Sequence, residues 1–152
     1  MIASLLKTPP KTSVVAIYIP SFAKKVKIPF FLNPVWCGIP TFVDEYSEGM
    51  LDLNEKLIKN PETSFIVKVN GDSMIEAQIS PDDHLIVDTS LEPRDGRIVI
   101  AAVNGELTVK RLCKRGDKIF LVPENPGYPG IEITEERNYA VIGVVTQVIH
   151  NV

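Results

Sequence analysis

From Phe65 onward apolar residues come at every second position or in short unbroken runs, the spacing of side chains that alternate across a pleated strand. The runs are Phe65 to Val69, Leu85 to Asp88, Arg97 to Val103, Glu106 to Leu112, Lys118 to Val122 and Tyr139 to Ile149. Turn formers separate them, so the pattern predicts a strand in each. Between two of the runs stands Asn104-Gly105, which predicts a tight hairpin because a type I′ turn needs positive φ at both central residues. Upstream the pattern changes. Prolines at 9, 10, 20, 29, 34 and 40 exclude helix and favour extended chain over the first 40 residues. Asp52 followed by Glu55 reads as a variant capping box for a short helix over 53 to 59, which Asn60-Pro61 would stop.

Composition narrows the class. With 152 residues, 45% of them apolar, the chain can bury one core, and the length prior gives a single domain with a tail. No run approaches the roughly 18 apolar residues of a membrane span. The best secretion candidate, Val14 to Ile19, is shorter than a signal h-region and lacks a small-residue cleavage site. The expectation is a cytoplasmic protein whose Cys37 and Cys113 stay reduced. The only histidines, His84 and His150, stand in no Cys/His cluster of metal-ligand spacing, so no metal and no cofactor is expected.

Charge divides the chain more sharply than hydropathy. Lys7, Lys11, Lys24, Lys25 and Lys27 precede Cys37 without one acid, while the net charge of the whole is −3. A basic arm therefore precedes an acidic body. It could meet nucleic acid or an anionic partner, the body included. Five lysines spread among prolines make no compact patch, and a solvated arm is the simpler reading.

Three short motifs carry candidate chemistry: Gly71-Asp72-Ser73-Met74 in a turn, Lys110 on the second strand of the predicted hairpin, and Cys37-Gly38 upstream. Ser73 alone reads as an ordinary turn residue, and Lys110 alone as an exposed strand lysine. Together they suggest a nucleophile and its base, because a serine hydroxyl attacks a carbonyl only when a neighbour takes its proton, and a neutral amine can. Alternation puts Lys110 on one face with Thr108 and Leu112, opposite Leu107 and Val109. Closure of that face over Ser73 would lower the ammonium pKa from about 10.4 toward the 7 to 8 useful to a general base. Arg111 points the other way and keeps its proton too firmly to substitute.

Ordered blocks extend the match: Phe65-Ile66-Val67-Lys68, Gly71-Asp72-Ser73-Met74-Ile75, Ile79-Ser80-Pro81-Asp82-Asp83, Leu85-Ile86-Val87-Asp88, Ile98 through Lys110, and Gly143-Val144-Val145. From about residue 30 to the C-terminus the chain resembles the LexA/UmuD-type self-cleaving Ser-Lys peptidases, in particular the branch that serves as accessory subunits of error-prone polymerases. Residues 1 to about 29 fall outside the resemblance. It implies a mainly β fold, a compact peptidase of twisted sheets with one short helix and an extended N-terminal arm. The implied division is an arm over 1–37 removed by self-cleavage, a linker with a short helix over 38–64, and a Ser-Lys peptidase β-domain over 65–152.

The resemblance also implies roles. Ser73 would be nucleophile, Lys110 general base, and the backbone N–H groups of Asp72 and Ser73 the oxyanion donors. Cys37-Gly38 would be the scissile bond, Gly38 suiting its place because a residue without Cβ lets the backbone approach the nucleophile. The implied partners are a second copy in a homodimer, a RecA filament on single-stranded DNA that stimulates cleavage, and a Y-family polymerase catalytic subunit of UmuC type in the SOS response. Repressors of this kind carry a helix-turn-helix domain ahead of the cut. Here only 37 residues precede it, Pro-broken and extended, so no sequence-specific DNA binding is expected. Two other readings stay open: a non-enzymatic dimeric interaction module of a polymerase complex, and a signal-peptidase-like enzyme, which would need a membrane anchor.

Overall fold

The computed structural model describes residues 13–22, 25, 27–31 and 47–152. Its contacts divide the chain into two compact units, one of residues 1–20 with 60–152 and one of residues 21–59.

The larger unit holds an eight-stranded sheet. Its strands are β1 (Ser13–Tyr18), β4 (Ser64–Asn70), β5 (His84–Asp88), β6 (Ile98–Val103), β7 (Glu106–Arg115), β8 (Lys118–Val122), β9 (Ile131–Ile133) and β10 (Tyr139–Ile149). The order is β1-β4-β5-β10-β6-β7-β8-β9, and β1 touches β7 as well as β4. Every pairing is antiparallel. The order therefore runs from β4 round to β7 and meets itself at β1, which gives a closed, barrel-like wall. This is the mainly β fold expected from the alternation.

Side chains alternate between two cores across this wall. Val67 and Val69 of β4, Val87 of β5, Ile100 of β6 and Val109 of β7 join Met74, Ile79 and Leu85 in one cluster. Val99 and Ala101 of β6, Leu112 of β7, Leu121 of β8 and Val144 of β10 form the other. Strand β10 lies between β5 and β6 and shifts register twice, between Val141 and Gly143 and between Val145 and Gln147. Such bulges bend a strand and increase its twist, which is how one straight ladder becomes a curved one. At Gly143 a Cβ would come within 2.7 Å of Val87 Cγ1 and 3.1 Å of the Asp88 carbonyl oxygen. Only glycine lets β5 and β10 approach this closely.

Asp88 ends β5, and its carboxylate ties down two neighbouring segments. It accepts hydrogen bonds from Asn60 Nδ2 (2.6 Å), Thr63 Oγ1 (2.8 Å), Ser90 N (2.8 Å) and Ser90 Oγ (2.7 Å). Burial pushes its pKa up, but these four donations together outweigh burial and bring it down to about 2.

The smaller unit pairs β2 (Lys27–Phe31) with β3 (Ser47–Asp52) antiparallel and continues into α1 (Leu53–Leu57). Asp52 caps α1 as expected, its Oδ1 accepting from Asn54 N at 2.9 Å. The helix stops two residues early because Ile58 is already extended, at φ −111° and ψ 102°. Pro61 then opens a 3₁₀ turn over Pro61–Thr63, the rigid φ of proline suiting a first turn.

Other expectations hold with small changes. Asn104 and Gly105 have φ of 50° and 83°, the left-handed pair the hairpin needs, and register runs through them from Val103↔Glu106. Strand β7 continues to Arg115, past the expected Leu112. Four elements were not anticipated as strands: β1, β2 and β3, which pair with each other, and the short β9.

Two outcomes test this account. Gly143→Ala, forced against β5, lowers stability by about 1–3 kcal/mol in denaturant melts. The depressed Asp88 pKa adds stability that is complete above the ordinary carboxylate range near pH 4 and is lost as pH falls toward 2. Asp88→Asn removes that portion of the acid dependence, as measured by thermal melts across pH 2 to 5.

Candidate active site

The turn after β4 begins at Gly71, whose φ of 91° belongs to the region that favours glycine. It turns the chain so that Asp72 faces out while Ser73 and Met74 face in, both with no exposed surface. Met74 belongs to the core cluster shared by β4, β5, β6 and β7. The hydrophobic anchor is thus the residue next to Ser73, and it fixes where the hydroxyl points.

Lys110 comes to the same place from β7. Its register partner on β6 is fully buried Val99, and Thr108 and Leu112 flank it on the same face, as alternation requires. Only 3% of the lysine is exposed. Its Nζ lies 3.3 Å from Ser73 Oγ, 2.9 Å from Thr108 Oγ1 and 2.9 Å from the Val109 carbonyl oxygen. An ammonium has three N–H donors, and these three oxygens can take one each. A cleft of about 290 Å³ adjoins the lysine, lined by Val103, Asn104, Glu106, Thr108, Ile131 and Arg137.

The structure therefore brings Ser73 and Lys110 together, in contact and out of water. Asp72, the other suggested oxyanion donor, lies in the same turn. Cys37 and Gly38 lie outside the described residues. Arg111 does point away from Lys110: it pairs through Nε with Glu124 and donates from Nη1 to the Gly96 carbonyl at 2.6 Å. Among the described residues no three His, Cys, Asp or Glu side chains gather as a metal site requires. No helix among them is long and apolar enough to cross a membrane.

Sequence reading missed the residues that hold the Ser73 turn from outside. Asn125 Nδ2 donates to the Asp72 carbonyl at 3.0 Å, Tyr128 OH donates to Asp72 Oδ1, and Glu76 N donates to the Glu124 carbonyl at 2.9 Å. All three contacts come from one segment, Glu124-Asn125-Pro126-Gly127-Tyr128. The available signal was its turn chemistry: Asn125 Oδ1 accepts from Gly127 N at 2.9 Å, an Asx turn. That pattern marks a loop but not its destination. The hydrogen bond to Asp72 is the main cause that raises the Tyr128 phenol pKa, with burial and the Asp72 charge adding to it.

A raised phenol keeps its proton, and so keeps donating, until pH climbs through the raised value; the clasp is complete below it and opens above it. Tyr128 is expected to ionise above the ordinary value of about 10 in an absorbance titration. Tyr128→Phe removes that transition, and Asp72→Asn moves it back toward the ordinary value. A high-pH transition that Tyr128→Phe leaves in place would show that the clasp does not form in solution.

The chain is similar to known proteins over most of its length. Residues 29–146 match the Peptidase S24-like family. The chain is 40% identical over 122 residues to protein SamA of Salmonella typhimurium, covering 80% of this chain and 84% of that one. It is 36% identical over 120 residues to protein MucA of the same species, covering 78% and 82%. It is 39% identical over 117 residues to a LexA repressor of Acidithiobacillus ferrooxidans, covering 75% of this chain but 57% of the repressor. The resemblance carried by the Gly71–Ile75 and Ile98–Lys110 blocks is thereby borne out, and the chain belongs to the Peptidase S24-like family of LexA/UmuD-type proteins.

Proposed function

We propose that this protein is a self-cleaving serine peptidase that cuts its own Cys37–Gly38 bond with a Ser73/Lys110 dyad. The observation that carries the reading is the 3.3 Å approach of Lys110 Nζ to Ser73 Oγ with both side chains buried. A structural lysine gains nothing from such a place, because removing an ammonium from water is costly. A base gains the neutral form it needs.

The hydrogen bonds also set direction. A neutral amine has two N–H donors and one lone pair. When the donors go to Thr108 Oγ1 and the Val109 carbonyl, the lone pair is left facing Ser73 Oγ. Lys110 takes the hydroxyl proton as Oγ attacks the Cys37 carbonyl carbon, and the Asp72 and Ser73 backbone N–H groups stabilise the oxyanion. The tetrahedral intermediate then collapses, breaking the C–N bond, and Lys110 passes its proton to the departing Gly38 amine. Water hydrolyses the acyl-enzyme, with Lys110 again as base. No cofactor takes part.

The biological role in this reading is that of an accessory subunit in SOS mutagenesis, acting in the cytoplasm. It forms a homodimer, is stimulated to cut by a RecA filament on single-stranded DNA, and joins a Y-family polymerase subunit of UmuC type. The likeness to SamA and MucA over most of their length supports this role over that of a DNA-binding repressor, since the LexA repressor is matched over little more than half of its own length.

Purified protein incubated with RecA, single-stranded DNA and nucleotide should yield a fragment starting at Gly38 by intact mass. Without RecA, the cleavage rate rises with pH and levels off, with a midpoint below the 10.4 of free lysine, because only the neutral amine accepts the proton. Ser73→Ala abolishes cleavage and leaves the melting temperature nearly unchanged. Lys110→Ala and Lys110→Arg both abolish the pH-dependent rise. Thr108→Val, which removes one aligning contact, slows cleavage by about 10- to 100-fold. Cleavage retained in the Ser73 variant, or a rate independent of pH, would overturn the dyad; a folded protein that never cuts would favour the non-enzymatic interaction module.

A further inference from the structure

The loop that clasps the Ser73 turn holds it at one particular bond. Asn125 Nδ2 donates to the Asp72 carbonyl at 3.0 Å, and that carbonyl belongs to the same peptide unit as the Ser73 N–H. A trans peptide is planar, with its C=O and N–H pointing opposite ways. Fixing the oxygen from one side therefore aims the Ser73 N–H to the other. The turn supplies one donor of its own, Ile75 N at 3.2 Å from the same oxygen, and a carbonyl has two lone pairs. Asn125 takes the second. Hydrogen bonds in a chain polarise one another, so donation to the carbonyl also strengthens the N–H beyond it as a donor.

The loop is itself tied to both halves of the dyad. On the Ser73 side, Tyr128 OH donates to Asp72 Oδ1 and the Glu124 carbonyl accepts from Glu76 N at 2.9 Å, so the turn is gripped before and after the serine. On the Lys110 side, the next residue of β7, Arg111, pairs through Nε with Glu124. Strand β8 delivers the loop to this place, because Val122, its last residue, is the register partner of Arg111. Asp72 and Arg111, which adjoin the dyad in sequence, are thus joined through one loop, while Ser73 and Lys110 touch directly.

We propose that Asn125 is a positioning residue for self-cleavage, holding the Asp72–Ser73 peptide so that the Ser73 N–H faces the oxyanion as it forms. The inference rests on the reading that Ser73 attacks the Cys37 carbonyl. The oxyanion carries its charge only on the way through the reaction, so a donor aimed at it speeds bond breaking. The protonation of Lys110 is left alone.

Two variants of the full chain separate this donation from the loop's own turn. Asn125→Asp keeps an oxygen to accept from Gly127 N, the 2.9 Å contact of the Asx turn, and loses the donor. Asn125→Ala loses both and adds no charge. Self-cleavage without RecA is followed against pH by intact mass. In both variants the plateau rate falls about tenfold to a hundredfold, less than the roughly 10²- to 10³-fold cost of deleting an oxyanion donor outright, since Ile75 N still holds the carbonyl. The midpoint, which belongs to Lys110, stays in place in Asn125→Ala, and Asn125→Asp melts near the wild-type temperature. In the uncut chains the Ser73 amide nitrogen resonance, which responds to hydrogen bonds on the preceding carbonyl, moves in both variants. A wild-type plateau in Asn125→Asp would overturn the proposal, as would an unmoved Ser73 resonance or a loss in Asn125→Ala that comes from a displaced midpoint. A wild-type chain that never cuts would overturn the dyad and this proposal together, whereas cutting indifferent to Asn125 would overturn the positioning role alone.

Discussion

Keeping the Lys110 amine out of water is the constraint on which the rest of the structure depends. Two of its oxygen partners, Thr108 Oγ1 and the Val109 carbonyl, come from its own strand and are present as soon as β7 forms. Another, Ser73 Oγ, comes from the turn after β4, and β4 is separated from β7 by β5, β10 and β6 in the sheet. The curvature of that whole wall must therefore close to within a hydrogen-bond length. The two bulges of β10 and the tight approach at Gly143 supply bending at its middle, and β1 spans the seam at its ends.

Legibility followed from the range of the physics involved. Period-two alternation is local, so β4 through β8 and β10 could be read from the chain, as could the Asn104-Gly105 hairpin, whose turn chemistry lies in two residues. The capping of α1 by Asp52 was equally local, and only the early extension of Ile58 moved its end. Strand β9 is three residues long, too short for any period to show. Strand β1 was legible as extended chain but not as sheet, because Val14 to Ile19 by itself says nothing about which edge will accept it.

The site divides along the same line. Ser73 and Lys110 could be picked out because residue type and order carried a family resemblance, and the shared face of Lys110 and Thr108 followed from alternation. The 3.3 Å approach did not follow, since it depends on five strands of curvature. Asn125 and Tyr128 were invisible for a related reason: an Asx turn identifies itself, whereas the turn it clasps across the fold does not. Legibility thus ended where a contact needed the closed sheet.

Met74 has a consequence that reaches beyond packing. Because the side chain next to Ser73 is embedded among Val67, Val87, Ile100 and Val109, the Ser73 hydroxyl is held by the packing of the core. In the proposed mechanism the timing would then be set by the polypeptide that enters, and the resting site would already have its working shape. Such a molecule would behave like a loaded trap whose timing is set by the bait. A regulator would act by presenting substrate, since there is little in the catalytic group left to adjust.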